Sequence, residues 1–145
     1  MRGLIGYTGF VGGNILQQAE FDMFYNSSNI QNIRGKSFDL LVCAGASSLV
    51  WLANKEPEKD LEAINKLISS LQHVKVKKFI LVSTIYVYPK PIGVDENSEI
   101  DIANQQPYAK HRFLLENFVR KRFDATIIRL PHIFEEGIKK GIIYD

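Results

Sequence analysis

The chain has 145 residues, with 18 basic and 16 acidic side chains, three histidines and one cysteine. This length fits one compact domain of about 100–150 residues, and 46% hydrophobic residues supply a core without disulfide or metal staples. A net charge of +2 is too small to mark a nucleic-acid surface, and the lone Cys43 excludes an internal disulfide. The longest apolar stretch, Phe38 to Ala53, is broken by Asp39, Ser47 and Ser48. It falls short of the ~18 consecutive apolar residues of a membrane span. The first residues turn glycine-rich too early for a secretory signal, so a soluble, cytoplasmic protein is expected, with no membrane or nucleic-acid partner.

Arg2–Ile5 is a short strand candidate ending in a glycine cluster, and Gly12–Ala19 carries Ile15, Leu16 and Ala19 at helical spacing. Phe21–Tyr25 reads as a second strand and Asp39–Cys43 as a third, fully buried one. The polar segment Asn26–Ser37 between them is too short for a standard crossover helix, which predicts a loop or a single turn. Pro57 opens a helix with Leu61, Ile64, Leu67, Ile68 and Leu71 along one face. Lys75–Lys78 reads as a solvated turn before a fourth buried strand, Phe79–Ser83. Pro89–Gln106 is a surface loop by its prolines, glycine and acids. Pro107 then starts a helix whose apolar side is Phe113, Leu114, Phe118 and Val119, and Ala125–Leu130 is a fifth strand ended by Pro131.

Strands that alternate with helices and are apolar throughout predict an α/β fold, a parallel sheet covered on both faces. The right-handed crossover rule favours a Rossmann-type doubly wound sheet of five strands in a single domain, ordered 3-2-1-4-5. Ligands of such sheets sit beyond the carboxyl ends of the strands. The switch point between strands 1 and 4 would bring Gly6, Thr84 and Pro131 to one crevice.

Gly6-Tyr7-Thr8-Gly9-Phe10-Val11-Gly12 places three glycines between a strand and a helix. The first permits a tight turn, the second lets backbone approach a pyrophosphate, and the third lets helix pack on strand. Free N–H groups and the helix dipole favour a phosphate there. Gly6, Thr8, Gly9, Phe10, Val11 and Gly12 are therefore candidates for binding a dinucleotide; a purely structural glycine turn is the alternative. Asn26, followed by Ser27 and Ser28, stands twenty residues after Gly6, where a carboxylate often holds the adenosine ribose. A neutral residue removes the repulsion that excludes a 2′-phosphate, which favours NADP over NAD. Ala44, Gly45 and Ala46 are small residues at a strand end, leaving room for the adenosine half or simply packing tightly.

The segments GYTGFVGGNI (6–15), LLVCAGAS (40–47), VKKFILVSTIYVY (76–88), PYAKHRFLLE (107–116) and IIRLPHIF (127–134) occur in this order. Together they resemble the cofactor domain of the extended short-chain dehydrogenase/reductases, which include NAD(P)-dependent sugar-nucleotide epimerases and dehydratases. The resemblance implies a nicotinamide cofactor, a sugar-nucleotide substrate, Tyr108 as general acid/base and Thr84 holding the reacting oxygen. It also implies a lysine four residues after the tyrosine, which binds the nicotinamide ribose and lowers the tyrosine pKa. Arg112 occupies that position, and an arginine differs from lysine in shape and donor geometry. Lys110 lies about 200° around the helix from Tyr108 and cannot replace it. Pro131 falls where the family contacts the nicotinamide, and His132 beside it is a weaker candidate. Family members continue well past the IIRLP segment, so residues 1–145 are expected to be an NAD(P)-binding domain lacking the usual C-terminal substrate region. Self-association or a partner chain is then expected to close the open side.

No Cys/His spacing resembles a metal site. His111 reads as a partly exposed structural residue and Cys43 as a small core residue. Trp51 and Phe10 either border the adenine or pack. The leading functional expectation is an NAD(P)-dependent epimerase, dehydratase or reductase. The alternative is a dinucleotide-binding sensor or subunit with impaired chemistry, and a third is an interaction domain that binds no nucleotide.

Overall fold

The computed structural model describes residues 1–47, 49–88, 100 and 102–131. Five parallel strands form one sheet: β1 (Arg2–Ile5), β2 (Met23–Tyr25), β3 (Ser37–Cys43), β4 (Lys75–Thr84) and β5 (Ala125–Leu130). Helix α1 (Phe10–Gln18) follows β1, and α2 (Val50–Lys55) and α3 (Pro57–Leu71) join β3 to β4. Helix α4 (Pro107–Arg122) joins β4 to β5. The α/β doubly wound class stands as expected from the sequence.

The strand order is 2-1-3-4-5, which corrects the expected 3-2-1-4-5. Two properties of the strands explain the correction. β2 has only three residues, which suits a sheet edge. In β3, by contrast, Leu41, Val42 and Cys43 are all buried, so it takes an interior place with β1 on one side and β4 on the other. The connection between β2 and β3 is a loop with a single 3-10 turn, Ile30–Ile33, as the polar stretch predicts. Ile30 and Ile33 bury in the same core as Leu67 and Leu71 of α3. The switch point therefore lies between β1 and β3, where the chain winds outward in both directions.

That core sits between the sheet and α3 with α4, and joins Ile5, Leu41, Cys43, Phe79 and Leu81 to Ile64, Leu67, Leu71, Leu115 and Val119. By crossover handedness α1 lies on the opposite face. Coverage of both faces does not extend to β5, whose Ile128 is 43% exposed among the described residues. Strand β4 starts earlier than expected, because Lys75–Lys78 pair with β3 rather than forming a turn. Their charges sit at the sheet's wet end, with Lys77 on Asp39 at 3.1 Å and Lys78 on Asp124 at 3.5 Å.

Prolines start α3 and α4 at positions where a missing N–H costs nothing. Glu58 and Asp60 in the first turn of α3 and Arg120, Lys121 and Arg122 in the last turn of α4 match the helix dipoles. The inward stripe of α4 is Tyr108, Arg112, Leu115, Glu116 and Val119; of the apolar side expected from the sequence, Val119 is buried and Phe118 packs against the core, whereas Phe113 and Leu114 do not join it. Leu114 is exposed and Phe113 and Phe118 are half-buried. Two charged residues displace them because each meets a buried partner of opposite sign. Among the described residues no helix is long and apolar enough to cross a membrane.

Candidate dinucleotide site at the carboxyl ends of the strands

The turn after β1 is built as the glycines require. Gly6 has φ of +88°, and a Cβ there would meet the Ala44 carbonyl oxygen at 2.2 Å, so no other residue fits. A Cβ on Gly12 would fall 1.9 Å from the Gly6 oxygen, which brings α1 hard against the turn. Gly9 differs. Its Cβ would lie at an ordinary 3.5 Å from the Gly6 oxygen, so the protein itself does not demand glycine there. What the missing side chain leaves is open space at the start of α1. That helix has no side-chain cap and no acid in its first turn, so its leading N–H groups face an open position suited to an anion.

Two clefts meet in this region. The larger is lined by the glycine turn, Asn26, Ser27, Ala44, Gly45, Ala46 and, from α3, Ala63 and Lys66. The smaller is lined by Ser83, Thr84, Tyr86, Tyr108, Arg112, Leu130 and Pro131. Val11, Ala44, Ala46 and Ser47 line both. The clefts thus adjoin across these shared residues, one toward the β2 end of the sheet and the other toward the β5 end.

Tyr108 is placed by contacts from both chain directions. Its backbone N–H, one of the unpaired donors of a helix start, is accepted by Asn54 Oδ1 of α2 at 3.0 Å. Burial pushes the Tyr108 phenol above its ordinary pKa of about 10, the charge of Arg112 and bonds from Thr84 and Arg112 pull it down, and Asp60 adds a smaller upward push. The balance is a raised value, which leaves a protonated phenol beside the Thr84 hydroxyl. Thr84 Oγ1 also accepts the backbone N–H of Tyr86 at 3.1 Å, which fixes its rotamer at the strand end.

The Arg112 guanidinium carbon lies 4.1 Å from the centre of the Tyr108 ring. One terminal nitrogen donates to Asp60 Oδ2 at 2.5 Å and the other to the Ser47 carbonyl at 2.7 Å. Its Nε is buried without a partner among the described residues. Asp60 Oδ2 also meets His111 Nδ1 at 2.5 Å, so α3 and α4 are joined through one nearly buried carboxylate.

A model of the NAD dependent epimerase/dehydratase family matches residues 17–141. The chain belongs to that family. No curated protein matches the chain. Among solved structures, this family member is similar to a dTDP-4-dehydrorhamnose reductase from Bacillus anthracis in complex with NADP. The TM-score is 0.67 at 21% identity, over 92% of this chain and 54% of that one. A dTDP-4-dehydrorhamnose reductase ortholog from Clostridium acetobutylicum gives 0.68 at 18% identity, over 94% and 55%. RMD from Pseudomonas aeruginosa complexed with NADPH gives 0.66 at 16%, over 90% and 52%. At these identities the likeness shows the fold, and the chain spans about half the length of the proteins it resembles.

Of the residues singled out in the sequence, Gly6, Thr8, Gly9, Phe10, Val11, Asn26, Ser27, Ala44, Gly45 and Ala46 line the larger cleft of this epimerase-family chain. Gly12 is buried behind it, and Thr84, Tyr108, Arg112 and Pro131 line the smaller one. His132 lies outside the described residues, as do 89–99 and 101 of the expected surface loop. Trp51 lines neither cleft and is 63% exposed, whereas Phe10 lines the larger. His111 is partnered by Asp60 and Cys43 is core, with burial pushing its thiol up to about 11. Among the described residues no group of acids, histidines and cysteine can hold a metal.

Four residues of the site carry no local signal in the sequence: Asn54, Asp60, Lys66 and Ser47. The first two act on α4 from helices more than fifty residues away, a distance over which spacing rules are blind. Helix α2 itself goes unseen because its six residues are too few for a periodic pattern.

Proposed function

We propose that this chain binds NADP(H) along the two joined clefts and serves reduction or epimerisation of a nucleotide-linked sugar. The observation that carries the reading is the adjacency of the clefts across shared lining residues, with an open glycine cup at one end and a Tyr108–Thr84 pair at the other. Gly9 and the first turn of α1 would hold the diphosphate, Asn26, Ser27 and Gly45 the adenosine half, and Pro131 and Thr84 the nicotinamide side. The bound nicotinamide supplies the hydride exchange. NADP is favoured because no acid lines the larger cleft among the described residues. The similar structures include complexes with NADP, NADPH and NAD, so they support a nicotinamide dinucleotide and the choice between the two rests on the cleft itself.

The chain's own residues then manage one proton and one oxygen. Tyr108, kept protonated by burial, donates to the substrate oxygen as a carbonyl becomes a carbinol, and Thr84 holds that oxygen by a second hydrogen bond. Arg112 stabilises the phenolate left behind. This balance suits reduction over oxidation at neutral pH, since oxidation needs the phenolate first. The remaining walls of a sugar-nucleotide pocket are assigned to a second copy or to chain beyond this domain, because the neighbours extend to about twice the matched length.

A melting scan with NAD, NADH, NADP and NADPH tests the reading, followed by NADPH oxidation with nucleotide-linked keto-sugars. A rise in Tm with NADPH and turnover with a keto-sugar are expected; no shift with any of the four overturns it. A second reading rests on Arg112, whose terminal nitrogens are taken by Asp60 and Ser47. With that cation engaged by protein groups, the chain would bind the dinucleotide and turn over little, as a sensor or subunit does. Binding without NADPH oxidation would favour it.

A further inference from the structure

We propose that Lys66 of α3 is the residue that receives the 2′-phosphate of the cofactor, and so sets this chain's choice between the two nicotinamide dinucleotides. The assignment rests on the reading of the larger cleft as the adenosine end of a dinucleotide site. Lys66 is the single charged residue among the described residues that line that cleft. Its Nζ donates to the Ser27 carbonyl at 2.8 Å, which brings the ammonium from α3 to the loop that follows β2. One of its three donors is used there, leaving two for an anion. A lysine thirty-nine residues from Ser27 in sequence reaches this place only through packing of α3 beside the loop.

The loop's own chemistry supports the same choice. An adenosine ribose with a free 2′-hydroxyl needs an acceptor, and Asn26 holds the position where a carboxylate would supply one. Asn26 Oδ1 is already engaged, accepting the Ser28 backbone N–H at 3.0 Å and the Ser28 hydroxyl at 2.6 Å. Asn29 Oδ1 accepts the Asn26 N–H at 2.7 Å and its amide donates to the Phe24 carbonyl at 3.1 Å, so the turn is held in this form. The loop thus offers no carboxylate to a ribose hydroxyl, carries no negative charge against a phosphate, and has a cation bonded to its backbone. Charge-assisted bonds from an ammonium to a phosphate are the stronger kind.

The test is direct binding of NADPH, NADH and 2′,5′-ADP to the full chain by calorimetry, with K66Q and K66R beside the wild type. Lys66 is exposed, and equal Tm values without ligand verify that both variants fold. The wild type is expected to prefer NADPH, K66Q to lose affinity for NADPH and 2′,5′-ADP by about tenfold or more, and K66R to keep most of it. NADH affinity is expected to stay within about twofold in all three. Equal losses for NADPH and NADH in K66Q, or no loss for either, would overturn the assignment while leaving the dinucleotide site standing. Failure of the wild type to bind NADPH or NADH would overturn the site and the assignment together.

Discussion

Asp60 and Arg112 face each other across the α3–α4 interface at 2.5 Å, both nearly closed to solvent. The pair is the reason a charged residue occupies the inward stripe of α4 where periodicity calls for a leucine. Removing one partner of a buried ion pair leaves the other charge unpaired, at a cost of about 3–5 kcal/mol. Asp60→Ala is therefore expected to lower the unfolding free energy by about that amount in urea titrations. The double variant D60A/R112M is expected to recover much of the loss, because a buried ion pair can be replaced by apolar groups of similar volume. Equal stability of D60A and wild type would show that Arg112 finds its charge balance elsewhere.

The same pair borders Tyr108, whose ring centre lies 4.1 Å from the Arg112 guanidinium carbon. Arg112→Lys cannot hold Asp60 and the Ser47 carbonyl together, since a lysine ends in one point charge rather than a fork. We expect R112K to be less stable but faster, its freed ammonium standing nearer the phenol and the nicotinamide ribose. NADPH oxidation rates alongside Tm values check this, and a slower R112K would count for arginine as the working cation.

Tyr108→Phe is expected to bind NADPH as the wild type does and to lose reduction by about a hundredfold or more, the usual contribution of a positioned acid. The pH dependence follows from the direction of the shift. The phenol must be protonated to donate, and its pKa lies above the ordinary value of about 10. Reduction should thus keep its proton donor through neutral and mildly alkaline pH and lose it only as pH rises past that ordinary value. Oxidation, which needs the phenolate, should climb over the same range. A reductive rate that falls between pH 7 and 9 through loss of an enzyme group, at roughly two units below the free phenol, would sink the assignment.

Sequence pattern reaches as far as chemistry that is local along the chain. The glycine turn, the strand ends and the Tyr108–Arg112 spacing were all readable, because each is set by neighbours within a few residues. Strand order was not, since it depends on which strand tolerates an edge, and β2's length of three residues shows only in its pairing with β1. The buried face of α4 was misread for a similar reason. Arg112 and Glu116 look like surface residues until Asp60 and Arg129 are placed opposite them. Lys66 is one lysine among many until α3 lies beside Ser27.

Gly9 and Gly12 separate binding from folding. Gly12→Ala would drive a Cβ into the Gly6 oxygen, and such overpacking costs about 1–3 kcal/mol or more. A Cβ at Gly9 makes only an ordinary contact, 3.5 Å from the Gly6 oxygen, so the free G9D chain should melt within a degree or two of wild type. Its carboxylate would stand where the diphosphate is proposed, and the NADPH-induced rise in Tm should vanish. An unchanged rise in G9D would move the phosphate site away from this turn.

Glu116 is fully buried one turn of α4 beyond Arg112, and its partners tie together the elements behind the smaller cleft. Arg129 of β5 donates to both of its oxygens at 3.1 and 2.6 Å, and the Ser83 hydroxyl of β4 donates to Oε2 at 2.6 Å. Arg129 also donates to the Tyr88 hydroxyl at 2.5 Å. Glu116→Gln keeps the shape but removes the charge that balances Arg129, and we expect a loss of about 3 kcal/mol. Because Ser83 precedes Thr84, slackening of this network should also let the Thr84 hydroxyl drift from Tyr108. E116Q is then expected to reduce kcat for NADPH oxidation while leaving NADPH affinity near wild type, since the glycine cup lies at the far end of the clefts. A variant that loses affinity and kcat in step would place Glu116 in folding alone.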